Sequence, residues 1–333
     1  MKNSRALFPA FVLALLAPVI AEVLSGATRL SFIFVLVPEI MVWGCGALII
    51  RELVRKWNAG STSMVLLALA LSVAEEWVIQ QTSLAPLPWV SIQYGRLWQV
   101  NWIWFLFFLG YESVWVVLVP VQLAELIFRG RRTERWLSNR GLTISAFVFL
   151  LGCFLAWFLW TQIARPKTYH VPKYQPPLAQ PIFGLIMIAV LAAAAYLLRH
   201  LGTRKHSERA VPPAWVAALA GVLLATPWYG LMSLIFGIHH AWPIWMPLAA
   251  GCLWAGCCWV IVSYWTASEK WTDLHRLALC FGATAVIMAF GFSGSSGWPR
   301  MDMIGKIIIN IVAVLGFFLL AKRVGKNPAF PVP

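Results

Sequence analysis

Ten stretches of this chain are apolar and long enough to cross a bilayer core, which takes roughly 17–25 residues. They fall at 6–24, 30–50, 62–82, 101–128, 143–163, 181–199, 213–237, 243–265, 276–294 and 302–321. In hydrocarbon a backbone must satisfy its own hydrogen bonds, so each stretch is expected to be a helix. Hydrophobic residues make up 61% of the chain, charged residues 11%, and mean hydropathy is +0.77. Those figures exclude a soluble globular domain, a disordered chain, collagen, a coiled coil and a disulfide scaffold. The expected fold is a single all-α integral membrane domain over 1–333 with about ten transmembrane helices. Helices one to five lie in 1–163 and helices six to ten in 181–323.

Basic residues orient the spans, because short cytoplasmic loops accumulate Lys and Arg. With the N-terminus inside, nineteen of the 26 Lys and Arg fall in cytoplasmic segments and seven in outer ones, so both termini are expected in the cytoplasm. The segment around Arg165–Lys173 breaks the alternation. The net charge of +14 therefore reports topology. The dense loop from Arg129 to Arg140 is expected against anionic lipid headgroups, making membrane lipids the first partners. No basic run interleaved with aromatics lies on a soluble surface, so nucleic acid is not an expected partner. Met1–Ala21 has the outline of a signal peptide, but its apolar run is long, and an uncleaved first span is expected. The six cysteines fall within spans without C-x-x-C spacing and are expected to be packing residues; no cofactor is expected. A Pro-rich connector at 165–181 separates two groups of five spans, as in transporters built from inverted repeats. The acidic residues do not follow that symmetry.

Six of the twelve acidic residues, Glu22, Glu39, Glu75, Glu76, Glu112 and Glu125, lie inside the first four spans. An ionised carboxylate at mid-bilayer costs about 2.5–3.5 kcal/mol, so Glu39, Glu75, Glu76 and Glu112 together carry a gross cost on the order of 10–14 kcal/mol. They must be protonated, hydrated or partnered, a condition that suits a general acid–base, a proton carrier or a cation site. The polar residues nearby in sequence, Gln80, Gln81, Asn101, Tyr111 and Ser113, are neutral. Adjacent Glu75 and Glu76 project about 100° apart on a helix, so one is expected to face a cavity and the other a neighbouring helix. Pro38 beside Glu39 frees a carbonyl one turn back. Glu125 and Arg129 have the spacing of a helix-surface pair, and Glu22 is expected to be structural. The apolar outer loop 82–101 is expected to lie in the interface or to re-enter beside the carboxylates. Its Trp89, with Glu39 and Gln80, completes the candidate substrate-binding set. His239 and His240 could reach the outer leaflet, but no H-E-x-x-H spacing supports a metal, and none is expected.

Glu75-Glu76-x-x-x-Gln80, followed by Phe107-x-x-x-Tyr111 with Tyr111 36 residues after Glu75, resembles the first two motifs of the CPBP (CAAX-protease and bacteriocin-processing, or Abi) intramembrane proteases. Those motifs read E-E-x-x-x-R and F-x-x-x-H, with a later H-x-x-x-N/D. The resemblance implies a glutamate-dependent intramembrane peptidase of a bacterial inner membrane acting on a membrane-embedded peptide or lipidated substrate. Glu75 would activate water, Glu76 would be its companion, and Tyr111 and Glu112 would complete the candidate catalytic set. The family's Arg is Gln80 here, its His is Tyr111, and the third motif has Lys306-x-x-x-Asn310. Two other readings stay open: a proton- or cation-coupled secondary transporter, and an accessory membrane subunit whose carboxylates dock a partner.

Overall fold

A computed structural model describes residues 2–87, 94–202, 209–237 and 242–326. The architecture is that of an all-α, multi-pass membrane protein, 76% helical. Eight helices are long and apolar enough to cross a membrane: α2 (Leu30–Lys56), α3 (Ser61–Ile79), α4 (Trp102–Ile127), α5 (Asn139–Thr168), α6 (Ala179–Leu197), α8 (Trp245–Thr266), α9 (Asp273–Phe290) and α10 (Arg300–Lys326). Two shorter apolar helices, α1 (Leu7–Val23) and α7 (Ala214–Gly230), occupy the remaining two stretches. Side-chain caps start several of them. The Asn101 side chain accepts from Trp104 N at 3.0 Å, and Ser138 from Gly141 N at 3.2 Å, satisfying backbone donors that a first turn leaves over.

Burial sorts the helices into two shells. Windows of α2, α3 and α4 are 56%, 67% and 56% buried, whereas those of α5, α6, α8 and α10 are 6–17% buried. The outer helices turn large apolar side chains such as Phe147, Leu150, Ile186, Leu253 and Leu315 outward, the surface a lipid environment demands. α10 is built the opposite way from a water-soluble helix: its inward residues are Asp302, Gly305, Lys306, Asn310 and Val324. Small residues bring backbones together where apolar burial gives no drive for association. A Cβ on Gly282 of α9 would collide with the Ala218 carbonyl oxygen of α7, and one on Gly44 of α2 with that of Ala14 in α1.

At one end of the bundle, ion pairs tie α2, α4, α9 and the segment 128–138 together. Buried Arg51 reaches Glu52 at 2.6 Å, Glu125 at 3.3 Å and the Arg132 carbonyl at 2.9 Å, and its guanidinium lies 3.4 Å from the Trp136 ring centre. Glu52 also accepts from Trp136 N and Leu137 N at 3.0 and 3.1 Å. Asp273 takes Arg129 at 2.6 Å and Arg132 at 2.8 Å. The expected Glu125–Arg129 helix pair is replaced by this network. α4 ends at Ile127, so Arg129 leaves the helix surface, while Glu125 turns inward to Arg55 at 2.6 Å and Arg276 at 3.6 Å.

The opposite end carries a short hairpin, β1 (Arg96–Leu97) with β2 (Val100–Asn101), pairing Arg96 with Asn101. Its two turn residues, Trp98 and Gln99, have φ of 53° and 63°, the positive values that a two-residue hairpin turn of this hand requires.

Candidate functional site

The site is built from breaks in helical regularity. In five places the chain widens from α-helical to π-helical turns: Val19–Val23, Ile40–Gly44, Glu75–Ile79, Glu112–Leu118 and Leu159–Thr168. The bond from Gln80 N to Glu75 O, 2.8 Å across five residues, is one of the wide turns. Glu22, Glu75, Glu76 and Glu112 lie within these segments, Glu39 immediately precedes one, and Arg165 sits in the last. Wide turns of this kind recur at functional sites because they re-aim side chains that a regular helix would point elsewhere.

Four of the carboxylates are buried: Glu39 is 5% exposed, Glu75 2%, Glu76 1% and Glu112 4%. Their neighbours are largely one another. Glu75 is within electrostatic range of Glu76, Glu39 and Glu22, and Glu112 of Glu75, Glu76 and Glu22. Glu22 is partly exposed although Ala21 and Val23 on either side are buried. Helices α1 to α4 thus each bring acid to one place. The sequence weighed Glu22 as structural; the structure puts it within electrostatic range of Glu39, Glu75 and Glu112.

The hydrogen bonding of the pair is asymmetric. Glu76 accepts from Thr82 Oγ1 at 2.6 and 2.7 Å and from Ser83 Oγ. Trp104 Nε1 donates to Thr82 Oγ1 at 3.1 Å and fixes that hydroxyl. Both Glu75 oxygens are buried and accept no hydrogen bond, as are Glu39 Oε2 and Glu112 Oε2. The other Glu39 oxygen accepts from Thr28 Oγ1. The two adjacent glutamates therefore differ, but not as a cavity member and a helix-facing member: Glu76 is held by hydroxyls of the loop that follows, and neither lines the cavity described below. Residues 82–87 include fully buried Ser83, Leu84, Ala85 and Leu87, so the start of the loop 82–101 does turn in beside Glu76. Trp89 lies outside the described residues, as do His239 and His240.

One cation reaches the acids from outside their own spans. α5 runs on to Thr168, beyond the apolar stretch, and carries fully buried Arg165. Its Nη2 donates to the Gln80 carbonyl, its Nε and Nη1 have no hydrogen-bond partner, and its charge acts on Glu76 without an ion-pair contact. Gln80's backbone is thereby engaged, and its side chain approaches Glu75 outside hydrogen-bond limits. The next residue, Gln81, has φ of 58°, a left-handed conformation that ends α3 sharply. Tyr111 points elsewhere: its hydroxyl donates to the Ala21 carbonyl, and its ring contacts Phe107, Trp115 and Tyr229 at 5.7, 5.3 and 6.1 Å. Asn101 and Ser113 also serve other partners, Asn101 as a cap and Ser113 beside Ser72 at 3.4 Å. Lys306 donates to the Leu24 carbonyl at 2.9 Å, and neither amide atom of buried Asn310 makes a hydrogen bond.

Beyond Arg165, a cavity of about 320 Å³ opens between the ends of α3 and α5 and the segment before α6, walled by Gln81, Trp157, Thr161, Gln162 and Tyr174 among others. Burial pushes the Tyr174 phenol up, against the pull of Arg96 and Arg165. Among the described residues no three His, Cys, Asp or Glu side chains converge closely enough to hold a metal ion. No family model, curated protein or solved structure matches this chain.

Proposed function

We propose that the chain crosses the membrane ten times with both termini in the cytoplasm and works as a proton- or cation-coupled secondary transporter. The observation that carries this reading is the set of five carboxylates from four helices linked by electrostatic interaction, of which buried Glu75 interacts with Glu22, Glu39, Glu76 and Glu112 and accepts no hydrogen bond. Arg165 compensates at most one of them. Such a set cannot stay ionised in a low dielectric, so its stable occupancy includes protons or a cation, and exchanging one for the other is coupling. Glu75 is the exchanging group; Glu76, fastened by Thr82 and Ser83, positions the end of α3. Irregular helix at membrane depth, lined by protein, is the usual construction of such sites. The ion-pair network around Arg51 closes the cytoplasmic end, leaving the acids nearer the outer face.

The test is uptake into proteoliposomes under an imposed pH gradient, with solutes from a native cell extract identified by mass spectrometry. Gradient-dependent accumulation is expected with wild type and lost with Glu39, Glu75, Glu76 and Glu112 all changed to Gln. Equal accumulation by the two proteins would refute the reading.

A second reading, the glutamate-dependent intramembrane hydrolase, is favoured by Arg165. Its guanidinium arrives at the Gln80 carbonyl, within electrostatic range of Glu76, from another helix, where the CPBP pattern carries its arginine in the motif itself. Glu75 would then be the base that activates water. The engagement of Tyr111 with Ala21 deprives that reading of its oxyanion donor. New peptide termini produced by wild type and not by Glu75→Gln, in liposomes given membrane extract, would put the hydrolase first.

A further inference from the structure

The ion-pair network where α2, α4 and α9 meet the segment 128–138 holds more positive charge than its acids balance. Arg55 reaches Glu125 at 2.6 Å, and Arg51 reaches the same oxygen at 3.3 Å. Arg51 also reaches Glu52 at 2.6 Å, and Arg135 stands 3.8 Å from Glu52. Arg276 shares Glu125 at 3.6 Å. Four guanidinia thus lean on two carboxylates. The next acid, Asp273, lies 3.6 Å from Arg276 but already takes Arg129 and Arg132. Glu134, outside the network, pairs with Arg131. The side chains of Glu52 and Glu125 are closed to solvent, while those of Arg55 and Arg135 are 26% and 30% exposed. The excess charge therefore shows at the rim, where exposed Lys56 follows Arg55 in the chain.

An apolar surface adjoins that rim. α1 packs against the last turns of both α2 and α4. Phe8 of α1 meets Phe128 edge-on with ring centres 5.7 Å apart, and Phe128 lies 6.3 Å from Trp136. The Trp136 ring in turn carries the Arg51 guanidinium. Aromatic contact is thus continuous from α1 to the charged hub. Phe8 and Phe11 are mostly exposed, and at i and i+3 they share one face of α1. A free phosphate or an acidic peptide gains nothing from that face; an amphiphile does. Lys and Arg in cytoplasmic loops attract anionic headgroups wherever they lie. Arginines locked in place beside a fixed apolar face turn that general attraction into a site.

We propose that this corner binds one anionic phospholipid, its phosphate at the rim formed by Arg55 and Arg135 and its acyl chains along Phe8 and Phe11. The assignment rests on the multi-pass membrane architecture and not on transport.

The experiment titrates the full chain in detergent with dioleoylphosphatidylglycerol, followed by native mass spectrometry and thermal shift. Dioleoylphosphatidylcholine supplies the same chains without net charge, and glycerol phosphate supplies the phosphate without chains. One phosphatidylglycerol per chain is expected to bind at least tenfold more tightly than either. Arg135→Gln should weaken it about fivefold, the worth of one basic residue at a membrane surface. Phe8→Ser, at an exposed position, should weaken it as much and keeps the test open if Arg135→Gln folds poorly. Arg323→Gln, at an exposed cation near the end of α10, should change nothing. Equal loss from Arg323→Gln would reduce the effect to diffuse attraction and overturn the site. Equal binding of phosphatidylcholine or of glycerol phosphate, or no saturation at one lipid per chain, would each overturn it as well.

Discussion

The Arg51 hub offers a prediction whose size follows from the geometry. Removing one partner of a buried ion pair costs about 3–5 kcal/mol, because the other charge is left behind in a low dielectric. In Arg51→Met, Glu125 keeps Arg55 at 2.6 Å, and Glu52 keeps two backbone N–H donors at 3.0 and 3.1 Å. Methionine also retains apolar contact with Trp136. The loss should fall at the lower end, about 3 kcal/mol. Glu52→Leu is worse. It strips Arg51 of its 2.6 Å partner and orphans the N–H groups of Trp136 and Leu137. At about 1–3 kcal/mol for each buried orphan, the total reaches roughly 5 kcal/mol. Combining the two removes the stranded charge along with its partner, so the double variant should lose at least about 2 kcal/mol less than the sum. The assay is thermal and denaturant unfolding in detergent followed by tryptophan fluorescence, with a scale of about 2 °C per kcal/mol for a chain of this size. Additivity within about 0.5 kcal/mol would show that the two residues act independently and would refute the argument.

Other expectations follow from contacts already described. Gly282→Ala should cost about 3 kcal/mol, since the new methyl meets backbone atoms of α7 that no rotamer change can move; a change below about 0.5 kcal/mol in the same unfolding assay contradicts that packing. The pair Thr82→Val with Ser83→Ala removes the side-chain donors to Glu76, at about 1.5–3 kcal/mol for each charge-assisted bond. Adding Glu76→Leu should return part of that loss, and a further fall in Tm would show that Glu76 has other partners. Asn101→Ala should cost about 1 kcal/mol through the first turn of α4, while Asn101→Asp should stay near wild type. Equal loss from both substitutions would remove the capping argument.

The positions of the helices were legible because lipid imposes a length and a composition on every segment, and all ten apolar stretches carry helix. The acids of the first four spans were legible for the same reason, since charge in such segments stands out. Their mutual arrangement was not. Glu22 looked structural from its place near a helix end, whereas it lies in the wide turn Val19–Val23 within electrostatic range of Glu39 and Glu75. No residue pattern announces a π-helical turn, so faces drawn with a 3.6-residue period go wrong beyond each one. Arg165 read as an outer-loop charge because helical periodicity fades at the Pro-rich connector, whereas α5 continues through Pro166 to Thr168. Thr82 and Ser83 had a visible signal, two hydroxyls directly after the acidic helix in a loop too apolar for water. The Glu125–Arg129 spacing misled for a simpler reason: an i,i+4 rule applies only while the helix lasts, and α4 stops at Ile127.

The inward polar stripe of α10 has a consequence for how the protein is assembled. Asp302 is met by the Ser31 backbone at 2.9 Å and its hydroxyl at 2.8 Å, and Lys306 by the Leu24 carbonyl; each partner lies at the far end of the chain. Until that amino-terminal corner is in place, the first two turns of the last helix would show an acid and an amine to lipid, at a cost below the roughly 2.5–3.5 kcal/mol that each would carry at the bilayer centre. The carboxy-terminal span is therefore a late arrival by necessity, docking onto a surface that synthesis began with α1 and reached at the start of α2, eight helices earlier. A chain lacking residues 1–31 should hold α10 poorly in the membrane even though every residue of α10 is present.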